Sequence, residues 1–437
     1  MTVGVARLTA AAEDEVTALA RPLATTDDLD PVVDRLATAR FACLGEASHG
    51  THEFYGWRAE LTRRLVEEQG YAWIGVEGDW PDCWRIHRWV TGQDDQDRAA
   101  AGVLAEFDRW PEWMWANHEV ASFLDWLRGW NLERAPERRV GFYGLDVYSL
   151  WDSLRRIRGW LRTHAPDALA DAERAWQCFL PFHEDPHRYA WGTRLVPASC
   201  EDDVVRLLAT VRARTHGLRE ESAFDALQNA LVAAQAERYY RTMVRADGAS
   251  WNIRDRHMTD TADRLAARHG PGSRGILWAH NTHVGDARAT DMARAGMVNV
   301  GQLLRERYGD DAVGLVGMAA HRGHVLAASA WGAPERSFAL PVARAGSHED
   351  LLHRVLRRPS ALVFGPDRSG PWLGVRAGHR AVGVVYDPAR ESGNYVPTVM
   401  GARYDAQLWF EETGPVRPLH HEPPPSGPEL ETEPSGF

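Results

Sequence analysis

Short uninterrupted apolar runs punctuate this chain, separated by longer stretches in which apolar residues recur every three or four positions. The runs FACLGE, AWIGVE, VGFYGLD and ILWAHNTH have the character of strands buried on both faces, as in a parallel sheet between helix layers. Phe54, Trp57, Leu61 and Leu65 recur at helical spacing, which predicts a helix over about 52–69 between strands at 41–46 and 72–77. Two strands joined in this way form a right-handed βαβ unit. Two helices are predicted over 5–38, Trp-rich helical segments over 80–133, and a third strand at about 139–145. From 150 to 268 there is no strand signal, only helix-forming runs such as VVRLLATVRARTHGL. The sheet resumes at GILWAH, with further strand candidates at AVGLVGM, ALVFG and RAVGVVYD. The expected fold is α/β: a central, mostly parallel sheet flanked by helices in a body spanning 1–411, with a helical subdomain inserted at about 150–268 over the cleft. Beyond 412 the chain turns Pro-rich and acidic, which predicts a disordered tail over 412–437.

Each of the four runs stops on ionisable side chains: Glu46, Glu77, Asp146, and His280 with His283. Ligands of open α/β sheets bind outside the strands' carboxyl ends, so that edge collects acids and histidines that a core has no use for. GEASHGTHEFYGWR is the densest segment, with Glu46, His49, His52, Glu53 and Arg58 across a strand end, a Gly-flanked loop and a helix start. Gly45 and Gly50 allow a sharp bend and a close approach of backbone N–H groups to a substrate. The structural alternative is an ordinary helix cap by Ser48 or Thr51, with His49 incidental. Arg58 lies four residues after Phe54 and three before Leu61, so it faces the sheet side of its helix. A guanidinium there needs a carboxylate, which Glu46 or Glu77 could supply, unless it snorkels past the core edge. Asp146 is equally placed to cap a helix starting near Ser149.

Composition narrows the function. A chain of 437 residues, 44% hydrophobic, buries a large core, and a net charge of −11 with a pI near 6.0 argues against nucleic-acid or acidic-membrane partners. A small-molecule partner and a monomer are expected. All 50 basic residues are arginine, which excludes Schiff-base lysine, P-loop and Ser-Lys chemistry. Cys43, Cys83, Cys178 and Cys200 form no CxxC pair; buried small hydrophobes are expected, with neither a zinc ribbon nor a disulfide scaffold. Without a leader-like or membrane-length apolar stretch, a cytoplasmic enzyme is expected. Ser48 comes one residue too late for a GxSxG elbow, and the His52-Glu53 and His118-Glu119 pairs lack the second histidine of HExxH.

LGEASHGTHEFYGWR, IGVEGDWPDCWRIHRWV, SWNIRDRHM, WAHNTHVGDA, VGQLLRERYGDD and YDPARESGNYVPTVMGARYDAQLWF, in that order between about 35 and 420, together resemble the erythromycin esterase family. The resemblance implies an α/β core with a helical subdomain and hydrolysis of the macrolactone ester of 14-membered macrolides. It also implies that His49 matches the proposed general base, that Glu46, Glu77 and Arg58 match other active-site positions, and that the later histidine is His280 or His283, with His280 preferred because it ends the apolar run. The expected mechanism needs no cofactor. His49, oriented by Glu46, takes a proton from a water held near Glu77; Arg58 or a loop N–H stabilises the oxyanion; His280 assists proton transfer to the leaving alkoxide. One alternative uses Glu46, His49, Glu77, His280 and His283 as ligands of Zn²⁺ or Mn²⁺ in a metal-dependent hydrolase. Another is a non-catalytic small-molecule binding protein whose 19 tryptophans, Trp110, Trp113 and Trp115 among them, face a large apolar ligand.

Overall fold

The computed structural model describes residues 9–94, 98–195, 199–244 and 248–421. Its strands are β1 (Ala20–Pro22), β2 (Phe41–Leu44), β3 (Trp73–Val76), β4 (Gly141–Gly144), β5 (Gly275–Trp278), β6 (Val313–Ala328), β7 (Glu335–Leu340), β8 (Ser360–Val363), β9 (Arg376–Arg380), β10 (Tyr395–Val399) and β11 (Ala406–Thr413). The helices begin with α1 (Ala10–Leu19), α2 (Asp30–Leu36), α3 (His52–Gln69), α4 (Trp80–Val90), α5 (Ala100–Leu104) and α6 (His118–Leu132). A run of helices follows, with no strand among the described residues: α7 (Leu150–His164), α8 (Leu169–Phe179), α9 (Pro186–Leu195), α10 (Glu201–Thr215), α11 (Glu221–Met243) and α12 (Ala249–His269). The last four are α13 (Asn281–Val284), α14 (Val300–Tyr308), α15 (His348–Val355) and α16 (Met400–Arg403).

The chain forms two compact units, one made of residues up to 74, 89–141 and 266 onward, the other of 75–88 and 142–265. In the first, β2 pairs in parallel with β5 on one side and β6 on the other, and β6 pairs in parallel with β11. β8 runs antiparallel to both β11 and β1, so the sheet is mixed but mostly parallel, with the order β1-β8-β11-β6-β2-β5 in this unit and β7 beside β6. Every residue of β2 and β5 is buried, which is why both read as unbroken apolar runs. α3 occupies the predicted span and ends on Gly70 at φ 70°, the left-handed conformation that glycine adopts without strain. The second unit packs a core of Leu154, Ile157, Leu161, Phe179, Leu207, Val211 and Tyr239 from α7, α8, α10 and α11.

Four expectations are corrected. β6 is 16 residues long, whereas its apolar run AVGLVGM predicts only its first half; the second half forms a hairpin with β7. RAVGVVYD is not a strand: β9 stops at Arg380, and Val382 and Val385 make isolated bridges to Ser48 and Ala328. Cys178 and Cys200 form a disulfide across 5.8 Å of Cα separation, because α8 and the start of α10 pack together, whereas Cys43 and Cys83 are the expected buried thiols. The predicted tail starts too early: β11 runs to Thr413, Val416 is buried, and Val416 and His118 make backbone hydrogen bonds to Gly50 and Arg417. Residues 422–437 of that tail lie outside the described residues. No helix among the described residues is long and apolar enough to cross a membrane.

Candidate active site

Glu46 sits two residues beyond the end of β2, and the turn carrying it is fixed by close packing against the protein itself. A Cβ on Gly45 would fall 2.1 Å from Asn281 Oδ1, and one on Gly50 would fall 1.9 Å from the Leu326 carbonyl oxygen. These glycines therefore admit neighbouring protein atoms, not a substrate as the sequence suggested. The Gly45 N–H donates to Val316 O at 2.8 Å, and the Asn281 N–H to Glu46 O at 2.8 Å. The Asn281 amide also donates to Met318 O at 2.8 Å, tying the segment after β5 to β6 and to the turn after β2.

On this frame Glu46, His49 and Arg58 form one buried chain. His49 Nδ1 lies 2.8 Å from Glu46 Oε1, and Arg58 Nη1 lies 3.0 Å from Glu46 Oε2. All three are buried, Arg58 completely. Its guanidinium carbon is 4.5 Å from the Tyr55 ring centre and 4.7 Å from that of Trp278, so two aromatic faces and one carboxylate hold the charge. Trp278, the last residue of β5, is pinned in turn by a 2.9 Å hydrogen bond from Nε1 to Thr62 Oγ1. With Glu46 ionised, His49 Nδ1 donates to it.

The His280 ring lies 4.9 Å from that of His49, tilted by 41°. His280 caps α13: its Nδ1 accepts the Thr282 N–H at 3.3 Å and lies 2.8 Å from Thr282 Oγ1. With Nδ1 accepting, a neutral His280 ring carries its proton on Nε2. His283 is buried one turn along α13, and the ring beside His49 is that of His280.

The second unit holds a different cluster. Glu77 and Asp146, just beyond β3 and β4, both meet Arg254 of α12. Arg254 Nη2 is 2.7 Å from Glu77 Oε1 and 2.7 Å from Asp146 Oδ2, while Nε is 2.9 Å from Asp146 Oδ1. Asp146 is thus held by a two-pronged arginine and by the Val147 N–H at 2.8 Å; it does not cap α7. The guanidinium carbon lies 4.8 Å from the centre of the Tyr148 ring. One turn on, burial pushes the His257 imidazole down to about 3, with the Arg264 charge adding to the effect.

Residues 66–413 match the family model described as Erythromycin esterase. The chain belongs to the erythromycin esterase family. Erythromycin esterase type II of Escherichia coli is 22% identical over 322 residues, which cover 69% of this chain and 74% of that protein. Among solved structures, a succinoglycan biosynthesis protein superposes with a TM-score of 0.74 at 19% identity, over 93% of this chain and 97% of that one. A Bacillus cereus protein gives 0.74 at 18% identity, over 93% and 98%. A mutant of erythromycin esterase EreC in its open conformation gives 0.65 at 17%, over 90% and 95%. At these identities the structural likenesses establish the fold.

The family match includes Glu77, His280 and His283 and begins after Glu46, His49 and Arg58. The structure brings Glu46, His49, Arg58 and His280 into contact within the first unit, and joins Glu77 to Asp146 in the second. Sequence reasoning missed Arg254, although the signal that flagged Arg58 was present. Arg254 interrupts the apolar stripe of Trp251, Met258, Ala262 and Leu265, and an arginine on such a stripe needs a buried carboxylate.

Proposed function

We propose that this erythromycin esterase family member hydrolyses a carboxylic ester or lactone, the macrolactone of a macrolide being the leading candidate, by a water molecule that His49 activates. The observation that carries the reading is the buried pair of histidine rings, 4.9 Å apart, with Glu46 behind His49. His49 Nε2 accepts a proton from water, the hydroxide attacks the ester carbonyl, and the resulting imidazolium returns that proton to the leaving alkoxide. Glu46 holds the ring and stabilises its cationic form. A neutral His280 does not give up a proton easily, so it serves as a hydrogen-bond donor to the oxyanion or the leaving oxygen, not as the proton carrier expected from sequence. Arg58 is too fully covered to touch a substrate; it neutralises Glu46 and leaves oxyanion binding to His280 and the loop backbone. Glu77 and His283 remain candidates by family resemblance.

Both Glu46 oxygens already face a guanidinium or an imidazole, which favours metal-free water activation over the use of this carboxylate as a ligand. The reading is tested by incubating the purified full chain with 14- and 16-membered macrolides and aryl esters, with and without EDTA. Ring-opened product formed equally in both arms is expected. Turnover of no ester or lactone would sink it, and activity lost to EDTA and restored by metal would replace the mechanism.

A further inference from the structure

Apart from the proposed hydrolytic cluster, the first unit brings together three metal-ligand side chains that none of the sequence motifs singled out. His321 lies on β6, five residues beyond the Val316 that pairs with Leu44; His353 is on α15 and Glu411 on β11. One donor atom from each lies within 4.8 Å of the others. The two imidazoles stack face to face, 3.6 Å between centres and 4° from parallel. His353 Nδ1 lies 2.8 and 3.0 Å from the two Glu411 oxygens.

Two features point to a ligand. His321 is 5% exposed, and its Nδ1 is buried with no hydrogen-bond partner among the described residues. A polar atom in that state is costly unless something satisfies it. The second is convergence: two imidazoles and a carboxylate from three separate elements bring their donor atoms within 4.8 Å of one another. The nearby cations are otherwise occupied. Arg322 faces Glu412, and Arg380 binds Glu391 and the carbonyls of Ala320, His321 and Pro341.

We propose that His321, His353 and Glu411 form a zinc-binding site. Two imidazoles and one carboxylate are a recurrent zinc donor set, and the half-buried His353 and Glu411 leave room for water as a fourth ligand. Donors around one tetrahedral zinc stand about 3.3 Å apart, so no pair of these donors has more than about 1.5 Å to close. A metal also lies in the plane of each ring it binds, which parallel rings cannot both satisfy; one must turn. His353, with 28% of its side chain exposed, has the space to do so. Glu411 then either binds the ion directly or stays on His353 Nδ1 and leaves Nε2 to bind. The proposal does not depend on the hydrolase reading.

The test is titration of chelator-treated full-length protein with ZnCl₂ by calorimetry, followed by elemental analysis after desalting. One equivalent of zinc is expected. His353→Ala and His321→Asn should each weaken binding at least about tenfold, since even an outer-shell partner is worth 10- to 100-fold. His49→Ala should bind zinc as wild type does. Circular dichroism checks the buried His321 variant, and if that variant does not fold the exposed-side His353→Ala decides. Sub-stoichiometric zinc, binding that survives His353→Ala, or binding lost in His49→Ala overturns the proposal.

Discussion

Each of the two units buries an acid just past a strand end and pairs it with an arginine from a helix, yet the two clusters are built differently. In the first, one carboxylate is shared between an arginine and a histidine: Glu46 faces Arg58 with one oxygen and His49 with the other. In the second, one arginine is shared between two carboxylates, Glu77 and Asp146. Arg58 balances the charge of Glu46 while the attached imidazole is neutral, and Glu46 remains in contact with that ring as an acceptor. Arg254, in contrast, clamps two acids with short bonds. The position of an acid in the sequence does not decide its job; the third member of the cluster does.

Replacing His49 should break this contrast most severely. His49→Ala or His49→Asn is expected to cut ester or lactone turnover by about 10²- to 10⁴-fold while the melting curve stays near wild type. A variant keeping more than a tenth of wild-type turnover would demote His49, because a general base is worth more than that.

Stability separates the clusters next. Glu46→Gln removes the carboxylate paired with Arg58 and should cost about 3–5 kcal/mol in urea unfolding, because a buried guanidinium loses its counter-charge. Asp146→Asn leaves Glu77 on Arg254 and should cost less, about 1–3 kcal/mol. Equal losses would show that the two arginines are not held in different ways.

A smaller effect comes from pH. Burial pushes His257 of the second unit down to about 3 and His348 of the first down to about 4, from an ordinary value of 6.5. As pH falls below 6.5 the unfolded chain takes up these protons while the folded chain does not. Stability present above 6.5 is therefore lost on acidification, at about 1.4 kcal/mol per pH unit for each imidazole. Between pH 6.5 and 4, His257→Asn and His348→Asn should each flatten the stability profile by one proton, and an unchanged slope in either would refute the assigned burial effect. Ser48→Ala should do least. Ser48 Oγ is hydrogen-bonded to Thr51 Oγ1, not to His49, so turnover should stay near wild type. A loss matching that of His49→Ala would install a serine nucleophile instead.

Much of the fold could be read locally. β2, β3, β4 and β5 are four-residue strands buried at every position, and α3 carries Phe54, Leu61 and Leu65 on one face; both patterns repeat within a few residues and need no distant information. Glu46, His49 and Arg58 were likewise legible, since they are close in sequence and their relation follows from one turn and one helix. What tertiary structure alone decided are the long-range pairings. Arg254 reaches Glu77 across 177 positions and Asp146 across 108; Cys178 finds Cys200, and His321, His353 and Glu411 meet from three separate elements. The same holds for Gly45 and Gly50, which sequence marks as flexible and the packed Asn281 side chain and Leu326 backbone explain as space that no side chain can occupy. Periodicity fixes which face of an element is buried, but which elements share that face depends on how the whole chain closes, and hydrophobic burial, being non-directional, leaves no local trace of the partner.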